Sequence, residues 1–315
     1  MAAPLWPIDP PRFAGIEPYG LFSAARIIEG VTGPELGGVQ YPYRCDPATD
    51  TWPGPCADVP DGEQKNLPAN GQDLVESRSF SVYAFETCPL VGYEEAELEA
   101  LARDSLRRGE QHDVERAVWS GRGDFIGLTE RGDVTVLADG PVDPVTAVTL
   151  AEYWLGRQDG TGLMHINAIG ASPLCDASMM WRDGNVYRST LGHAMSLGGG
   201  YGLTGPGGAS PAAGAAWMFI TRAVTIRRSP IRVDSGLRAQ SNEHDSRAER
   251  IYVPTIPCPI AAVEVQVLPD GVAVPDLDPD FAVAAAPAEG VAPMAVTAVV
   301  TGEQGPVEIT WGDEG

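Results

Sequence analysis

The stretch EEAELEALARDSLRRGEQHDVERAVWSG, residues 94–121, carries the strongest helical pattern in the chain. Its apolar and small residues recur at steps of three and four between Leu98 and Val118. Acidic residues crowd its start, where they favour the helix dipole, and Gly121 stands where a helix commonly ends. About 26 residues at 1.5 Å each would span roughly 40 Å. The pattern therefore predicts one long helix that acts as a structural spine.

The segments before this helix predict an arm, a long loop and a strand. Residues 1–40 are proline-rich with little apolar periodicity, and residues 41–80 hold six prolines and several acids. We expect an extended arm followed by a protruding hairpin, because so long a loop is unusual in a compact domain unless it has a function. The alternation in SFSVYAFETCPLVGY, which starts at Ser79, then predicts a strand.

Two shorter helices are predicted after the spine. Asp143 followed by Pro144 is typical of a helix N-terminus, and this helix runs to Gly156. Ser172 and Pro173 predict the start of another helix, which the turn RDGN at 182–185 closes.

The remaining patterns predict strands. GLMHINAI at 162–169 is typical of a buried strand, and strands are also predicted within 186–190 and 215–228. The segment ERIYVPTIPCPIAAVEVQV, 249–267, predicts a long extended chain whose prolines favour an edge or irregular strand.

The stretch GYGLTG, residues 200–205, fits the pattern G-x-G-x-x-G of dinucleotide-binding folds. That mechanism needs a helix directly after the glycines and an acidic residue about twenty positions further on. Here the glycines are followed by PGGASP, and residues 220–222 contain no carboxylate. The stretch is therefore interpreted as a loop, and no cofactor is expected.

The chain is strongly acidic, with a formal net charge of −22 and a pI near 4.4. Residues 264–315 hold ten acids and no Lys or Arg, which disfavours sequence-specific nucleic-acid binding and anionic membranes. Residues 217–250 instead hold seven Arg against four acids. Two interpretations stay open: a solvated or internally paired patch, and a basic edge that meets an acidic edge of a neighbouring copy.

The N-terminus does not predict a secretory signal. The apolar window 283–301 is interrupted by prolines and does not predict a membrane span.

The five cysteines contain no CxxC pair, and with only four histidines they favour a reducing compartment and no zinc site. Cys45 and Cys56 flank the turn-rich stretch CDPATDTWPGPC, so a disulfide across a hairpin neck is one hypothesis. Free thiols are the preferred prediction.

No residue pattern predicts catalysis. His165, inside an apolar strand, is interpreted as a hydrogen-bonded core histidine. Ser172 is explained by helix capping and Cys175 by packing, because no base accompanies either in sequence. No G-x-S-x-G, Walker or HExxH motif occurs, so we expect no enzyme activity and no catalytic, cofactor-binding or metal-binding residues.

The stretch DVERAVWSGRGDFIGL, residues 113–128, resembles the spine-helix exit of tailed-phage major capsid proteins, whose Hong Kong 97-type fold is shared with encapsulins. The residues that carry the resemblance are Glu115, Ala117, Gly121, Gly123, Gly127 and Leu128. Residues 143–187 are similar to the family's apical helix, buried strand, short helix and polar turn, and 247–265 resemble its returning strand. The match covers about residues 41–268, and the order of its loose motifs is what carries it.

The resemblance implies an α+β fold of the Hong Kong 97 type, with an arm, an extended loop, a peripheral domain around the spine helix and an apical domain. The implied parts are the arm at 1–40, the extended loop at 41–80, the peripheral domain at 81–140 and 245–268, the apical domain at 141–244, and an acidic C-terminal extension at 269–315.

The resemblance also implies particular contact residues. The apical loop would lie where subunits converge around five-fold and six-fold axes, with assembly contacts at Gly198, Gly199, Gly200, Gly202 and Gly205. Some members of the family join subunits through a Lys–Asn bond on the extended loop. Lys65, the sole lysine of the chain, lies in the matching region and gives the hypothesis of a cross-link between subunits.

The implied function is a major capsid protein that assembles through hexamers and pentamers into an icosahedral shell around double-stranded phage DNA. Its partners would be other copies of itself, with scaffolding, portal and decoration proteins as further candidates, non-specific contact with DNA, and no membrane. It would be part of the virion after assembly in the host cytoplasm. Two alternatives stay open: an encapsulin-type shell around protein cargo, and a non-shell adaptor or binding module of a phage head.

Overall fold

The computed structural model describes residues 18–43, 45, 73–89, 94–158, 160–238, 243–269 and 272. Its helices are α1 Leu21–Ala24, α2 Glu95–Ser120, α3 Pro144–Gly156 and α4 Ala171–Asp176. Its strands are β1 Arg26–Glu29, β2 Gly38–Tyr43, β3 Asp73–Arg78, β4 Phe80–Pro89, β5 Val134–Val136, β6 Gly162–Asn167, β7 Met180–Asp183, β8 Val186–Ser189, β9 Ala194–Gly198, β10 Ala215–Arg222, β11 Thr225–Arg228, β12 Arg232–Arg238, β13 Glu243–Thr255 and β14 Ile260–Gln266. These elements confirm the predicted α+β class.

The predicted spine helix is confirmed as α2, which has 26 residues. At its start the backbone N–H of Glu94 donates to the Glu97 carboxylate over 3.0 Å. At its end Gly121, with φ of 80°, donates its N–H to the carbonyl of Ala117 over 2.8 Å. Local sequence therefore sets both ends of this helix.

A five-stranded sheet covers the first half of α2. Strand β13 pairs antiparallel with β4, β11 and β12, and β1 runs parallel to β11. The side chains that α2 and this sheet bury together include Ala102, Leu106, Val82, Ala248 and Tyr252. Burial of these apolar groups holds the helix on the sheet.

A seven-stranded sheet, in the order β5-β14-β10-β6-β9-β8-β7, continues beyond the second half of α2. Its interior strand β10 is buried on both faces, which explains its unbroken apolar run. Trp217 and Phe219 belong to the cluster around α2, and Met218 and Ile220 to the cluster that includes α3. The Trp119 and Phe219 rings meet edge to face with centroids 4.9 Å apart. The spine helix thus supports both large sheets.

The predicted extended hairpin is confirmed at its two strands, because β2 pairs antiparallel with β3 from Gly38↔Arg78 to Tyr43↔Asp73. Val75 and Ser77 on β3 are buried, and the Ser77 hydroxyl donates to the Pro254 carbonyl of β13. Leu74, on the other face of β3, is 65% exposed. The hairpin strands therefore lie on the body with one face outward.

The helix that Asp143 predicts is confirmed as α3. The Asp143 carboxylate accepts hydrogen bonds from the backbone N–H groups of Val145 and Thr146, at 3.0 and 3.1 Å. Because its Thr146 hydrogen bonds stabilise the charged form, the pKa of Asp143 is lowered.

The predictions for the third helix are partly wrong. Helix α4 begins at Ala171, so Ser172 lies inside it and does not cap it, and Cys175 is exposed. The turn RDGN does not close a helix but joins β7 to β8 in a hairpin, with Gly184 at φ of 61°. The helix is only six residues long, and the segment after it pairs as β7 with β8 instead of extending the helix.

Of the two alternatives predicted for 249–267, the edge strand is wrong and the irregular strand is confirmed, because β13 ends at Thr255 and β14 begins only at Ile260. Strand β13 pairs with β4, β11 and β12, and β14 pairs with β5 and β10. Both are therefore interior strands. Pro254 is accommodated near the end of β13, where it faces Ile226 of β11. A proline can be tolerated at such a ladder end because fewer hydrogen bonds are lost there.

The two large sheets do not follow the predicted domain boundaries. Strands β11 and β12, within the predicted apical segment 141–244, pair in the five-stranded sheet. Strand β14, within the predicted peripheral segment 245–268, pairs in the seven-stranded sheet. The predicted arm 1–40 also contains β1, which is part of the five-stranded sheet. Of the predicted extension 269–315, all but residues 269 and 272 lie outside the described residues.

The prediction of free thiols is wrong for two cysteines, because Cys45 and Cys258 form a disulfide. They lie 213 positions apart, so their spacing in sequence could not reveal the pair. Cys56, the partner weighed for Cys45, lies outside the described residues.

Candidate assembly surface

A buried carboxylate on the spine helix joins three parts of the chain. Glu115 is 1% exposed; its Oε1 accepts from the Leu21 N–H at 2.8 Å and its Oε2 from the Gly200 N–H at 3.0 Å. The Gln111 side chain donates a further hydrogen bond to Oε1 at 3.2 Å. Glu115, predicted as part of the spine-helix exit, therefore fixes both the start of α1 and the glycine-rich loop on α2.

The glycine-rich loop packs closely on the spine helix. A Cβ atom at Gly198 would overlap the Glu115 carboxylate, and one at Gly200 would overlap the His112 carbonyl. A Cβ at Gly205 would overlap the Trp217 ring. Close approach to side chains and backbone is the physical reason for glycine at these positions.

The five glycines predicted as assembly contacts differ in how far their own chain buries them. Gly198, Gly200 and Gly205 are buried by their own chain, Gly202 is partly buried, and Gly199 is exposed. The three buried glycines contact α2 or β10 within the subunit, which gives them an intramolecular role. Contact with neighbouring subunits stays a prediction for the exposed part of the loop.

Tyr201 anchors this loop in the core. Its ring lies against Trp119 with centroids 5.3 Å apart, and its hydroxyl contacts His165 Nδ1 at 3.0 Å and the Ser196 hydroxyl at 2.8 Å. The other ring nitrogen of His165 contacts the Thr221 hydroxyl at 2.9 Å. Burial lowers the pKa of His165 to about 3 and raises the pKa of Tyr201. His165 is therefore a neutral, hydrogen-bonded core histidine, as predicted.

The exit of the spine helix needs glycine for two reasons. Gly121 adopts a positive φ, and a Cβ there would overlap the Glu130 carboxylate. That carboxylate accepts a hydrogen bond from the Gly127 N–H at 3.2 Å. Gly123 also has a positive φ, of 60°, and Ala117 is buried. The predicted exit residues thus shape the turn that leaves the helix.

A second buried carboxylate, Glu110, fixes the middle of α2 to the five-stranded sheet. It accepts hydrogen bonds from Arg228 at 3.3 Å, from Arg250 at 3.0 Å, and from the Tyr252 hydroxyl at 2.5 Å. Arg228 also pairs with Glu29 on β1, and this hydrogen bond lowers the pKa of Glu29. Burial and the nearby Glu110 charge raise the pKa of Tyr252.

Most described arginines of the segment 217–250 are paired with carboxylates of their own chain. The arginines with carboxylate partners are Arg227, Arg228, Arg232, Arg247 and Arg250. Arg222 stacks over the Tyr43 ring with its guanidinium carbon 5.9 Å from the centroid. These contacts favour the internally paired interpretation of the basic segment over a basic edge that awaits a neighbour.

The outer side of the seven-stranded sheet presents apolar side chains to solvent. Tyr153 on α3 is 66% exposed and Leu191, after β8, is 69% exposed. Beside Tyr153 lies an open cleft of about 430 Å³, lined by Leu137, Leu150, Tyr153, Trp154, Arg157 and Gln158. A second cleft, of about 420 Å³, lies between β3 and the loop after α2, and half of its lining residues are charged.

The described part of the chain contains no cluster of three or more His, Cys, Asp or Glu residues able to hold a metal ion. No helix in the same residues is long and apolar enough to span a membrane.

Lys65, the predicted cross-link residue, lies outside the described residues, so the cross-link remains a hypothesis.

Sequence reasoning missed Glu110 and Tyr201. Glu110 lies within the helical pattern among other charged residues, and Tyr201 lies among glycines. The available signal for Glu110 was its position on the apolar face, four residues after Leu106 and four before Val114. A carboxylate there has to be paired, because an unpaired buried charge is very costly.

Comparison with solved structures finds extensive similarity, although no protein-family model and no curated protein matches the sequence. The capsid of the native GTA particle matches with a TM-score of 0.50 and 14% identity, over 83% of this chain and 95% of that chain. Mycobacterium phage Ogopogo matches with a TM-score of 0.49 and 12% identity, over 82% of this chain and 96% of that one. The SrpI encapsulin of Synechococcus elongatus PCC 7942 matches with a TM-score of 0.42 and 12% identity, over 62% and 79% of the two chains.

Proposed function

We propose that this chain, which has the Hong Kong 97-type fold, is a capsid shell subunit. It would assemble through hexamers and pentamers into an icosahedral shell that encloses double-stranded phage DNA. The observation that carries the proposal is the similarity to the capsid of the native GTA particle, which spans 95% of that chain.

Features of the subunit support self-association as its role. The extended hairpin pairs only with itself among the described residues and exposes Leu74. Strand β4 pairs on one side with β13, and its other edge has no described strand beside it. Unpaired edges and exposed apolar side chains are favourable places for contact with another copy.

The acidic charge supports enclosure without tight DNA binding. A net charge of −22 repels nucleic acid, so any contact with enclosed DNA would be weak and non-specific. Other copies of this chain are the primary partners. Scaffolding, portal and decoration proteins, a place in the virion and assembly in the host cytoplasm are parts of the same proposal.

Electron microscopy and sedimentation of the full chain test the proposal. We expect closed shells or rings of five and six subunits, and nuclease-protected DNA in particles from infected cells. A protein that stays monomeric at high concentration would contradict the shell. Shells filled with protein and no DNA would instead identify a compartment of the encapsulin type.

A matched pair of variants at Tyr153 tests whether the apolar surface of α3 takes part in assembly. Tyr153→Asp should leave the far-UV circular dichroism and melting temperature unchanged, because the side chain is 66% exposed. Its association constant should fall at least about tenfold, since a charge at a buried contact costs about 1.4 kcal/mol or more. Tyr153→Phe, which keeps the apolar ring, should assemble normally. Equal assembly of the two variants would exclude this surface.

A further inference from the structure

We infer that Cys45 and Cys258 form a redox-controlled covalent clamp on the extended hairpin. The two residues are joined by a disulfide, and their Cα atoms lie 5.1 Å apart. That separation falls in the range of about 4.4–6.8 Å usual for disulfides, so the backbone positions suit the bond. The inference goes beyond the proposed shell function and does not depend on it.

The positions of the two cysteines define what the clamp would hold. Cys45 follows the end of β2 by two residues, at the point where the chain enters the segment 46–72. Cys258 lies between the end of β13 and the start of β14, in the link that joins the five-stranded to the seven-stranded sheet. The bond therefore fastens the root of the extended loop to the link between the two large sheets.

The other contacts of the hairpin are weaker and reversible. On β3, Val75 and Ser77 are buried, and the Ser77 hydroxyl donates to Pro254. On β2, Tyr43 lies under the Arg222 guanidinium. Such contacts open and close by thermal motion. A covalent bond at Cys45 keeps this end of the hairpin attached even when the noncovalent contacts open.

The exposure of the two sulfurs sets the order of the chemistry. Cys258 is buried, while Cys45 is partly exposed. With a small-molecule disulfide as oxidant, the Cys45 thiolate attacks one of its sulfurs, forms a mixed disulfide and releases one small thiolate. The Cys258 thiolate then attacks Cys45 Sγ and expels the second small thiolate. The two small thiolates take up two protons, which replace the two that the cysteine thiols lost, so the two electrons reduce the oxidant to two thiols with no net release of protons.

The single lysine of the chain permits a decisive test. Lysyl endopeptidase cuts only after Lys65, which separates Cys45 and Cys56 from Cys88, Cys175 and Cys258. The full chain is alkylated with iodoacetamide under denaturing conditions without reductant, then cut and run on a denaturing gel. We expect fragments 1–65 and 66–315 to migrate together and to separate only after reduction. Fragments that separate without reduction would overturn the inference, and a fragment 1–65 in which neither cysteine is alkylated would identify a Cys45–Cys56 bond as the alternative pairing.

Serine variants identify the bonded pair. Cys45→Ser and Cys258→Ser should each release the two fragments without reductant. Cys56→Ser and Cys175→Ser, as matched controls, should leave them joined. Joined fragments in Cys258→Ser would mean that another cysteine holds them and would also overturn the inference. Because the gel is denaturing, none of these results depends on shell assembly.

Hydrogen exchange of the native chain tests whether the bond acts as a clamp. Under mild reduction, the amides of β2 should exchange severalfold faster, and Cys258→Ser should exchange at that faster rate without reductant. Cys175→Ser should match the unmodified chain. Unchanged exchange in β2 after the bond is reduced would show that the noncovalent contacts are sufficient and that the bond is no clamp.

Discussion

At the scale of single residues, Glu115 has the most consequential contacts, because one carboxylate satisfies the backbone amides of Leu21 and Gly200. Glu115→Ala leaves both amides buried without a partner and should lower the free energy of unfolding by about 2–4 kcal/mol. Urea unfolding of the unassembled subunit measures this. Glu115→Gln keeps one oxygen acceptor and should lose about half as much. Equal losses in the two variants would contradict the role given to the second oxygen.

His165 predicts a specific dependence of stability on pH. Its pKa is about 3 in the folded chain and about 6.5 when unfolded. Between these values the unfolded chain binds a proton that the folded chain does not, so stability falls as pH falls below about 6.5. The contribution approaches about 1.4 kcal/mol per pH unit within this range.

Urea unfolding at several pH values between 6.5 and 5 measures that slope, where most carboxylates remain charged. His165→Gln has no group that titrates in this range, so it should remove most of the slope of about 1.4 kcal/mol per pH unit. A slope that is the same with and without His165 would contradict a neutral buried imidazole.

At the scale of elements, two adjacent glycines differ in what surrounds them. A Cβ at Gly200 would overlap the His112 carbonyl of α2, while a Cβ at Gly199 would meet only the His112 ring at 3.9 Å. Gly200→Ala should therefore push the loop off the helix and cost about 1–3 kcal/mol of unfolding free energy. Gly199→Ala, the matched control, should change it by less than about 0.5 kcal/mol. Similar losses in both variants would mean that glycine serves flexibility here and not close packing.

The elements that sequence predicted well are those whose signals are local. Helix α2 has its own periodicity and Gly121 at its end, and α3 has the Asp143 cap, so both were predicted almost to the residue. Helix α4 has six residues, too few for apolar periodicity to define where it ends. The prediction therefore extended this helix through the residues that form β7. The position of β13 inside its sheet depends on β11 and β4, whose paired residues lie 24–172 positions away, and no local pattern contains them.

The candidate site follows the same rule. The exit residues Gly121 and Gly123 carry a backbone requirement that the sequence reveals, because a positive φ favours glycine. The bond between Cys45 and Cys258 and the three donors around Glu110 are contacts between distant segments. Their residue types are visible in the sequence, but their partners emerge only when the two sheets close around α2.

At the scale of the whole molecule, the balance of charge opposes association. Each subunit carries a net charge of −22, and most of the described arginines of the basic segment already have partners in their own chain. In the proposed shell, contacts between copies would therefore have to overcome mutual repulsion, and burial of exposed apolar groups such as Tyr153 and Leu191 would be the driving force.

This balance predicts that salt promotes assembly. The screening length falls from about 30 Å at 0.01 M to about 3 Å at 1 M ionic strength, so repulsion between subunits weakens while apolar burial persists. Sedimentation of the full chain across this range should show the assembled fraction rising with sodium chloride. Residual free subunit at each salt concentration gives the apparent association constant. If the assembled fraction instead falls with salt, the contacts rest on opposite charges that salt screens, and the alternative of a basic edge on an acidic edge would replace apolar burial as the force that holds the copies together.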